Sequence, residues 1–167
     1  MSGPHLELIA PNDEPVLLFR RAFAAPATLV FVAWTEPEHL RRWRVPRGFE
    51  FVACDVDLRV GGGYRFVHRA PDGSHHAFRG RYLQIERPRR LVSTLTYEAA
   101  PETEATDEVT FDDNDGTTLV TGRTTFPTFG ARELYAAAGA ERGLARCCER
   151  LDGLLAALAP PPKGRTP

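Results

Sequence analysis

Two periodicities divide the chain: apolar residues recur at helical spacing near its beginning and its end, and at every second position in between. An apolar stretch rich in β-forming residues, 16–24, predicts a first strand. Apolar residues at helical spacing then predict two short helices, 27–34 and a second one that continues to about residue 43. The apolar positions that set this spacing are Val30, Phe31, Trp34, Leu40 and Trp43.

The start of the second short helix carries a capping signal. Thr35 is followed three residues later by Glu38, which is the pattern of a capping box. Pro37 stands in the first turn, where its missing N–H group costs little stability. We therefore expect the Thr35 side chain to cap this helix.

Six strands are expected next, because polarity alternates with a period of two between short turn signals. In the first of them, Val52, Cys54, Val56 and Leu58 are expected to share one half-buried face. Short turns between successive strands require antiparallel pairing. The six predicted strands are 49–58, 64–69, 75–86, 90–97, 105–112 and 117–126.

A long amphipathic helix is predicted from about residue 131 to residue 159. Its apolar residues keep a spacing of three and four, which forms one stripe over four turns. Gly139 and Gly143 lie one turn apart, and each glycine lowers the stability of a helix. Their presence indicates that the backbone of another element approaches the helix closely there. The stripe consists of Leu144, Cys147, Leu151, Leu154 and Leu158.

This order of elements predicts one α+β domain over residues 16–159, in which a curved antiparallel sheet of about seven strands grips the C-terminal helix. The helix is convex while the sheet curls around it, so we expect a pocket between them at one end. The polar, proline-containing residues 1–15 are predicted to form a flexible leader, and the proline-rich residues 160–167 a disordered tail.

Several short motifs follow one another in an order and spacing that are typical of one family. They are Phe23-Ala24-Ala25-Pro26, Asp57-Leu58-Arg59-Val60-Gly61-Gly62, Pro71-Asp72-Gly73, Glu86-Arg87-Pro88-Arg89-Arg90-Leu91 and Glu141-Arg142-Gly143-Leu144. With them the chain resembles the activator of heat-shock-protein-90 ATPase homologue family, part of the START-like (SRPBCC) superfamily. The resemblance implies the helix-grip fold and, as in many members, a hydrophobic ligand between sheet and helix.

The sequence departs from the family pattern at three positions. Arg44 stands where the family usually has an aromatic residue, and His68 stands where a methionine or another apolar residue is common. Leu144 replaces a frequent tryptophan. Changes of this kind reshape or polarise a pocket, so the ligand of a relative does not transfer to this chain.

The two short helices, the inner face of the sheet and the C-terminal helix are all expected to line the pocket. Such sites are mostly apolar, with few polar groups. The predicted lining residues are Trp34, Trp43, Tyr64, Phe66, His68, Phe78, Tyr82, Tyr97, Leu144, Cys148 and Leu151.

The sequence shows no arrangement typical of nucleophilic catalysis or of metal binding. It has no Gly-x-Ser-x-Gly or Cys-x-x-Cys motif, and the adjacent His75 and His76 would face opposite sides of a strand. Cys147 and Cys148 lie on an apolar helix, where burial raises the pKa of a thiol and makes it inert. We predict no catalytic residue, no metal and no cofactor, and His68 or a pocket tyrosine would act if the protein were an enzyme.

Charge and composition exclude further classes. Twenty-one basic against 22 acidic residues give a net charge of −1, which argues against binding to nucleic acid or to an anionic membrane by bulk charge. The densest basic run, 41–47, is interpreted as a solvated face beside the pocket entrance. No apolar run is long enough to insert into a membrane. Three cysteines without a secretion signal predict reduced thiols in the cytoplasm.

These observations favour non-enzymatic binding of a small hydrophobic molecule in the pocket. A cyclase-like or hydrolase-like enzyme acting on an apolar substrate in the same pocket is one alternative. A chaperone-associated or stress-response interaction protein is another, although the eukaryotic activators resemble a longer architecture with a further N-terminal domain that residues 1–15 do not supply. Homodimer formation stays open.

Overall fold

An eight-stranded antiparallel sheet and four helices make up the computed structural model, which describes residues 5–137 and 140–159. The strands are β1 (Glu7–Ile9), β2 (Val16–Phe23), β3 (Glu50–Val56), β4 (Gly63–Arg69), β5 (His75–Glu86), β6 (Arg90–Tyr97), β7 (Ala105–Asn114) and β8 (Thr117–Thr125). The helices are α1 (Ala27–Thr35), α2 (Pro37–Trp43), α3 (Phe129–Ala137) and α4 (Ala140–Leu158), and Pro101–Thr103 form a 3₁₀ turn. The predicted α+β helix-grip fold is confirmed.

The connection between β2 and β3 sets the shape of the fold. Across the sheet the strands follow the order β1-β2-β8-β7-β6-β5-β4-β3, so β2 pairs with β8 while β3 lies at the opposite edge. Strands β3 to β8 are joined as successive antiparallel neighbours. Helices α1 and α2 therefore span most of the width of the sheet, and α4 packs against them.

The β7–β8 hairpin shows how local sequence produces this geometry. Asp115 and Gly116 both have positive φ, 52° and 85°, as a two-residue hairpin turn requires. The Asp113 carboxylate accepts hydrogen bonds from the backbone N–H of Gly116 at 3.0 Å and of Ala27 at 2.9 Å. One side chain thus closes the turn and also holds the first turn of α1 against it.

The eighth strand, β1, lies in the stretch for which a flexible leader is predicted. Its three residues pair with β2, with Leu8 opposite Phe19. A strand of three residues is too short to show an alternating pattern, so the sequence predicts seven strands rather than eight. The predicted tail, 160–167, lies outside the described residues.

A β-bulge changes the inner face of β3. Phe51 pairs with His68 and Ala53 pairs with Val67, so Val52 is the extra residue and is 44% exposed. The prediction that Val52 shares the buried face with Cys54 is wrong. The bulge turns Phe51 inward instead, where it packs against the core.

The predicted capping box at Thr35 is also wrong. Thr35 is the last residue of α1, and its Oγ1 donates a hydrogen bond to the carbonyl oxygen of Phe31 at 2.8 Å. Glu36 is the N-cap of α2 and makes no side-chain capping hydrogen bond. The buried Thr35 hydroxyl therefore makes its hydrogen bond within α1 and not to the backbone of α2. Threonine side chains commonly bond to a carbonyl oxygen one helical turn earlier.

The single helix predicted over 131–159 is described as α3 and α4, on either side of residues 138–139, and Gly139 lies outside the described residues. On α4, Cys147, Leu151 and Leu154 are buried, and Leu144 and Leu158 are partly buried against the same core.

An ion pair fixes α4 to the first long strand. The guanidinium of Arg21 donates to both carboxylate oxygens of Asp152, at 2.7 and 2.5 Å. Arg21 is 5% exposed, and it also lies over the ring of Phe23 at 4.7 Å. Bidentate geometry of this kind gives orientation as well as attraction.

Truncation of Leu151 is expected to destabilise the protein strongly, because its side chain is fully buried between α4 and the core. We expect Leu151→Ala to lower the free energy of unfolding by about 2–5 kcal/mol in denaturant titrations. Leu134→Ala is the matched control, because Leu134 is 69% exposed and its truncation is expected to change the same quantity by less than about 0.5 kcal/mol. Equal effects of the two variants would contradict the assignment of the buried face.

Candidate ligand-binding site

The pairing register of the sheet sorts its inward side chains into rows that cross several strands. One row contains Tyr82, Ser93, Asp107 and Thr124, which are cross-strand partners in that order. Beyond the row of Tyr64 and Gly80, the next row contains Phe66, Phe78 and Tyr97. In the row after it, His68 is opposite His76. These rows form the concave face that looks towards the helices.

Most of the predicted lining residues are packed together in the hydrophobic core. Ring centroids are 4.7 Å apart for Trp34 and Trp43, and 4.9 Å apart for Tyr64 and Phe66. The buried members of the predicted set are Trp34, Trp43, Tyr64, Phe66, Tyr82, Cys148 and Leu151. The partly buried members are His68, Phe78, Tyr97 and Leu144. The less tightly covered part of the concave face is therefore the end where His68, Phe78 and Tyr97 lie against one another, with ring centroids 5.9 Å and 5.1 Å apart along this series.

Tyr64 illustrates how closely the packed part is filled. Its hydroxyl donates to the carbonyl oxygen of Thr94 at 2.7 Å. A Cβ atom at Gly80 would lie 2.3 Å from the Tyr64 ring and 2.0 Å from the same carbonyl oxygen. Gly80 is thus the residue that admits the Tyr64 ring, and this corner of the predicted pocket is occupied by protein.

His68 lies among aromatic side chains. Its ring meets the ring of Phe51 edge-on at 4.5 Å and lies 5.9 Å from the ring of Phe78. Its Nε2 atom is buried and has no hydrogen-bond partner among the described residues. Burial, with a smaller contribution from the Arg44 charge, lowers the pKa of His68 to about 4. The imidazole is therefore neutral at physiological pH.

Arg44 lies inside the site, although the basic run 41–47 is predicted to form a solvated face. Arg41, Arg42 and Arg47 are exposed as expected. Arg44 is partly buried, and its guanidinium carbon lies 5.6 Å from the centre of the Phe66 ring on the concave face. The prediction is wrong for this one residue, because α2 ends at Trp43 and the chain turns towards the sheet there.

Asp107 is a further polar group of the site that sequence reasoning missed. Thr124 Oγ1 donates to its Oδ1 atom at 3.0 Å. The side chain of Asp107 is partly buried. Burial raises the pKa of its carboxyl group, while the Arg44 charge and the hydrogen bond from Thr124 lower it by less. The alternation of Ala105, Asp107 and Val109 along β7 already places this acid on the inner face, which is the signal that could have found it.

Tyr135 on α3 shows the same combination. It is 39% exposed, its ring lies 5.3 Å from that of Phe126, and burial raises the pKa of its hydroxyl. Asp107 adds to this increase. Asp107 on the sheet and Tyr135 on α3 are therefore close enough to affect each other, and both keep accessible surface.

A chain of hydrogen bonds runs from the β4–β5 hairpin to Tyr97. The Ser74 hydroxyl donates to Asp72 Oδ1 at 2.6 Å, and Ser74 Oγ is 3.2 Å from His76 Nε2. His76 Nδ1 is 2.9 Å from the hydroxyl oxygen of Tyr97. The Ser74 hydroxyl donates its proton to Asp72, so Ser74 Oγ can only accept a hydrogen bond from His76 Nε2. His76 therefore donates through Nε2 and accepts through Nδ1. The Tyr97 hydroxyl therefore donates to His76 and offers only its lone pairs to a ligand.

Two surface concavities lie elsewhere. A cleft of about 320 Å³ near the end of α4 is lined by Ala22, Phe23, Ala24, Thr117, Asp152, Leu155 and Ala156. An open groove of about 660 Å³ at edge strand β3 is lined by Pro37, Cys54, Asp55, Val56, Asp57, Gly63, Tyr64, Arg65, Arg79 and Gly80. Of the predicted lining residues, Tyr64 alone borders either concavity.

One group of side chains at the start of α2 has the spacing of metal ligands. His39 Nε2 is 3.6 Å from Glu36 Oε2 and 3.5 Å from Glu38 Oε1. Both glutamates are largely exposed, at 49% and 75%. Exposed carboxylates beside a histidine also form a weak ion pair without any metal, and we interpret the group in this way.

Removal of metal ions is accordingly expected to leave the protein unchanged. Dialysis against a chelator should shift Tm by less than 1 °C, because both carboxylates of the group of Glu36, Glu38 and His39 are exposed and solvated without a metal ion. A drop of several degrees that zinc reverses, and that is lost in Glu38→Gln, would contradict this interpretation.

The pKa of His68 gives a pH dependence with a definite sign. Its pKa is lower in the folded than in the unfolded protein, so the unfolded state binds the proton more tightly and stability falls as pH decreases below about 6.5. The contribution of this group has a slope of at most about 1.4 kcal/mol per pH unit. Denaturant titrations at pH 6.5 to 5 are expected to show a shallower dependence for His68→Phe than for the wild type. Identical slopes, or an NMR titration midpoint of His68 near 6.5, would contradict the assignment.

Comparison with known proteins agrees with this architecture. The chain matches the family described as activator of Hsp90 ATPase homolog 1-like protein over residues 24–156. It is similar to protein Ms6760 from Mycobacterium smegmatis, with 23% identity, a TM-score of 0.82 and coverage of 90% of this chain and 97% of that one. No curated protein matches the sequence.

Two further solved structures are alike over nearly their whole length. A protein from Rhodobacter sphaeroides has 27% identity and a TM-score of 0.84, covering 92% of this chain and 99% of its own. Protein NE0264 from Nitrosomonas europaea has 28% identity and a TM-score of 0.78, covering 89% and 97%. Over the described residues, no helix combines the length and the apolar character needed to cross a bilayer.

The family match begins after β2 and ends within α4, so it includes the α1–α2 pair, six of the strands and most of the C-terminal helix. Apart from Phe23, the residues of the motifs on which the resemblance rests lie within these limits. The chain therefore belongs to the activator of Hsp90 ATPase homologue 1-like family.

Proposed function

We propose that the protein binds a small, largely apolar molecule without transforming it. The proposed site lies between the concave face of the sheet and helices α3 and α4. It lies at the end where Phe78, Tyr97 and Leu144 are only partly buried.

The observation that carries this proposal is the environment of Asp107. Its carboxyl group lies on the inner row of the sheet, next to Ser93 and Thr124, and keeps accessible surface although burial raises its pKa. Tyr135 shows the same combination on the opposite side, on α3. Two such groups, on the sheet and on a helix, support a space between them that solvent or a ligand can fill.

The chemistry of the neighbouring side chains favours binding over catalysis. The pKa of His68 is about 4, so its imidazole is neutral at physiological pH. The hydroxyl group of Tyr97 donates its hydrogen bond to His76. Burial raises the pKa of both Cys147 and Cys148, the latter to about 12, so neither thiol is ionised at neutral pH. A catalytic thiol would need the opposite shift.

The cysteines also bear on where the protein works. Cys54, Cys147 and Cys148 are all buried free thiols. Unpaired cysteines are typical of a reducing compartment, which supports the cytoplasm as the location.

Filling the proposed space is expected to abolish binding. We expect an apolar fluorescent probe, N-phenyl-1-naphthylamine, to bind the folded wild type. Leu144→Trp is expected to weaken this binding at least tenfold, because Leu144 is partly buried on the face of α4 that packs against the core and the larger side chain would extend into the proposed site. Leu134→Trp is the matched control, since it adds the same side chain at a position that is 69% exposed. Affinity is measured by probe fluorescence, and near-ultraviolet circular dichroism confirms that each variant is folded.

Native mass spectrometry of the purified protein provides an independent readout. A co-purifying mass of a few hundred daltons that is lost in Leu144→Trp and kept in Leu134→Trp would support the proposal. Probe binding that appears only after partial unfolding, or that is equal in the two variants, would overturn it.

A further inference from the structure

We propose that the bound molecule is an amphipathic organic anion, with its charged group held by Arg44 and its apolar part beside Phe78 and Leu144. This inference rests on the proposed function and names the class of ligand. It starts from the position of one charged side chain within a largely apolar face.

The backbone on both sides of Arg44 is firmly held. Trp43 is 1% exposed and its Nε1 donates to the carbonyl oxygen of Ala33 at 2.8 Å. The N–H of Arg44 donates to the carbonyl oxygen of Leu40 at 2.9 Å. Val45 is buried, and its carbonyl oxygen accepts a hydrogen bond from Arg150 on α4 at 2.5 Å. With its neighbours anchored in this way, Arg44 directs its side chain over the Phe66 ring.

Among the arginines whose side chains the structure describes, the others that are not exposed all have partners. Arg21 pairs with Asp152, and Arg90 pairs with Glu108. Arg132 bonds to Glu133 and to three backbone carbonyl oxygens, while Arg150 bonds to the carbonyl oxygen of Val45. A guanidinium group that leaves water normally gains such partners, because its transfer without them is costly.

Arg44 differs from this group. Among the described residues it forms neither an ion pair within 4.0 Å nor a hydrogen bond, although its guanidinium lies over an aromatic ring. Asp107 is near enough to be affected by its charge, but the Oδ1 atom of Asp107 accepts the Thr124 hydroxyl. The planar guanidinium is thus available to the carboxylate, sulfonate or phosphate of a ligand, each of which it binds in a bidentate manner.

Among the described residues, no ion pair within 4.0 Å compensates the Arg44 charge. Burial lowers the pKa of His68 to about 4, so its imidazole is uncharged at neutral pH. Tyrosine is uncharged there because of its ordinary pKa, and burial raises the pKa of Tyr82 and Tyr135 further. Burial also raises the pKa of the Asp107 carboxyl group. The guanidinium stays charged at any physiological pH. In a space shielded from water, an anion beside it is attracted far more strongly than at the surface.

Two probes that differ in one anionic group test the inference. They are 8-anilino-1-naphthalenesulfonate and its uncharged analogue N-phenyl-1-naphthylamine. We expect the wild type to bind the sulfonate at least tenfold more tightly than the analogue. Arg44→Met keeps the apolar stem, and it is expected to weaken sulfonate binding at least tenfold while changing binding of the analogue less than threefold. Arg44→Lys is expected to restore part of the sulfonate affinity.

Arg42→Met is the control, because it removes an exposed arginine of α2 and leaves the net charge equal to that of Arg44→Met. It is expected to leave the binding of both probes unchanged. Equal losses for both probes in Arg44→Met would assign Arg44 a structural role and overturn the inference, as would unchanged binding of the sulfonate. Binding of the uncharged analogue alone overturns only the ligand class, whereas binding of neither probe by the folded wild type overturns the proposed function with it.

Discussion

The contact between the two tryptophans is the constraint on which the rest of the structure depends. Trp34 from α1 and Trp43 from α2 lie 4.7 Å apart, and the indole N–H of Trp43 is satisfied within the core by the carbonyl oxygen of Ala33. A hydrogen bond to α1 allows this large amphipathic side chain to be buried completely. It also sets the angle between α1 and α2, which together carry the chain from β2 to the far edge of the sheet.

The same contact divides the concave face into two parts. On one side, the rings of Trp34 and Phe111 meet edge-on at 5.7 Å, in the same core cluster as the buried residues Leu151 and Leu155 of α4. On the other side, the rows that contain Asp107 and Phe78 are covered less completely. The fold thus combines a solid core with a separate binding region, and stability and recognition depend on different residues of one sheet.

Much of the fold could be predicted from the sequence, because alternation is a local property. Strands β5 and β6 have the predicted bounds, 75–86 and 90–97, since turn signals flank two clear stretches of β-forming residues. The prediction failed where one residue breaks the local rule, as Val52 does by forming a bulge. The bulge arises from the pairing of β3 with β4, and the alternation of polarity along β3 alone does not contain this information.

The candidate site was harder to predict, because its polar residues come from distant segments. The aromatic residue type predicts that a side chain is buried, but it does not distinguish the wall of a pocket from the interior of the core. Tyr64 is predicted to line the pocket and instead packs within the core. Arg44 was grouped with its exposed sequence neighbours, although α2 ends just before it. The ion pair between Arg21 and Asp152 has the same long-range character, with an evolutionary consequence. Replacement of either residue alone leaves the other charge unpaired, which is costly where Arg21 is buried, whereas replacement of both by apolar residues is tolerated. Divergence at these two positions, 131 residues apart in sequence, is therefore expected to be concerted across the family.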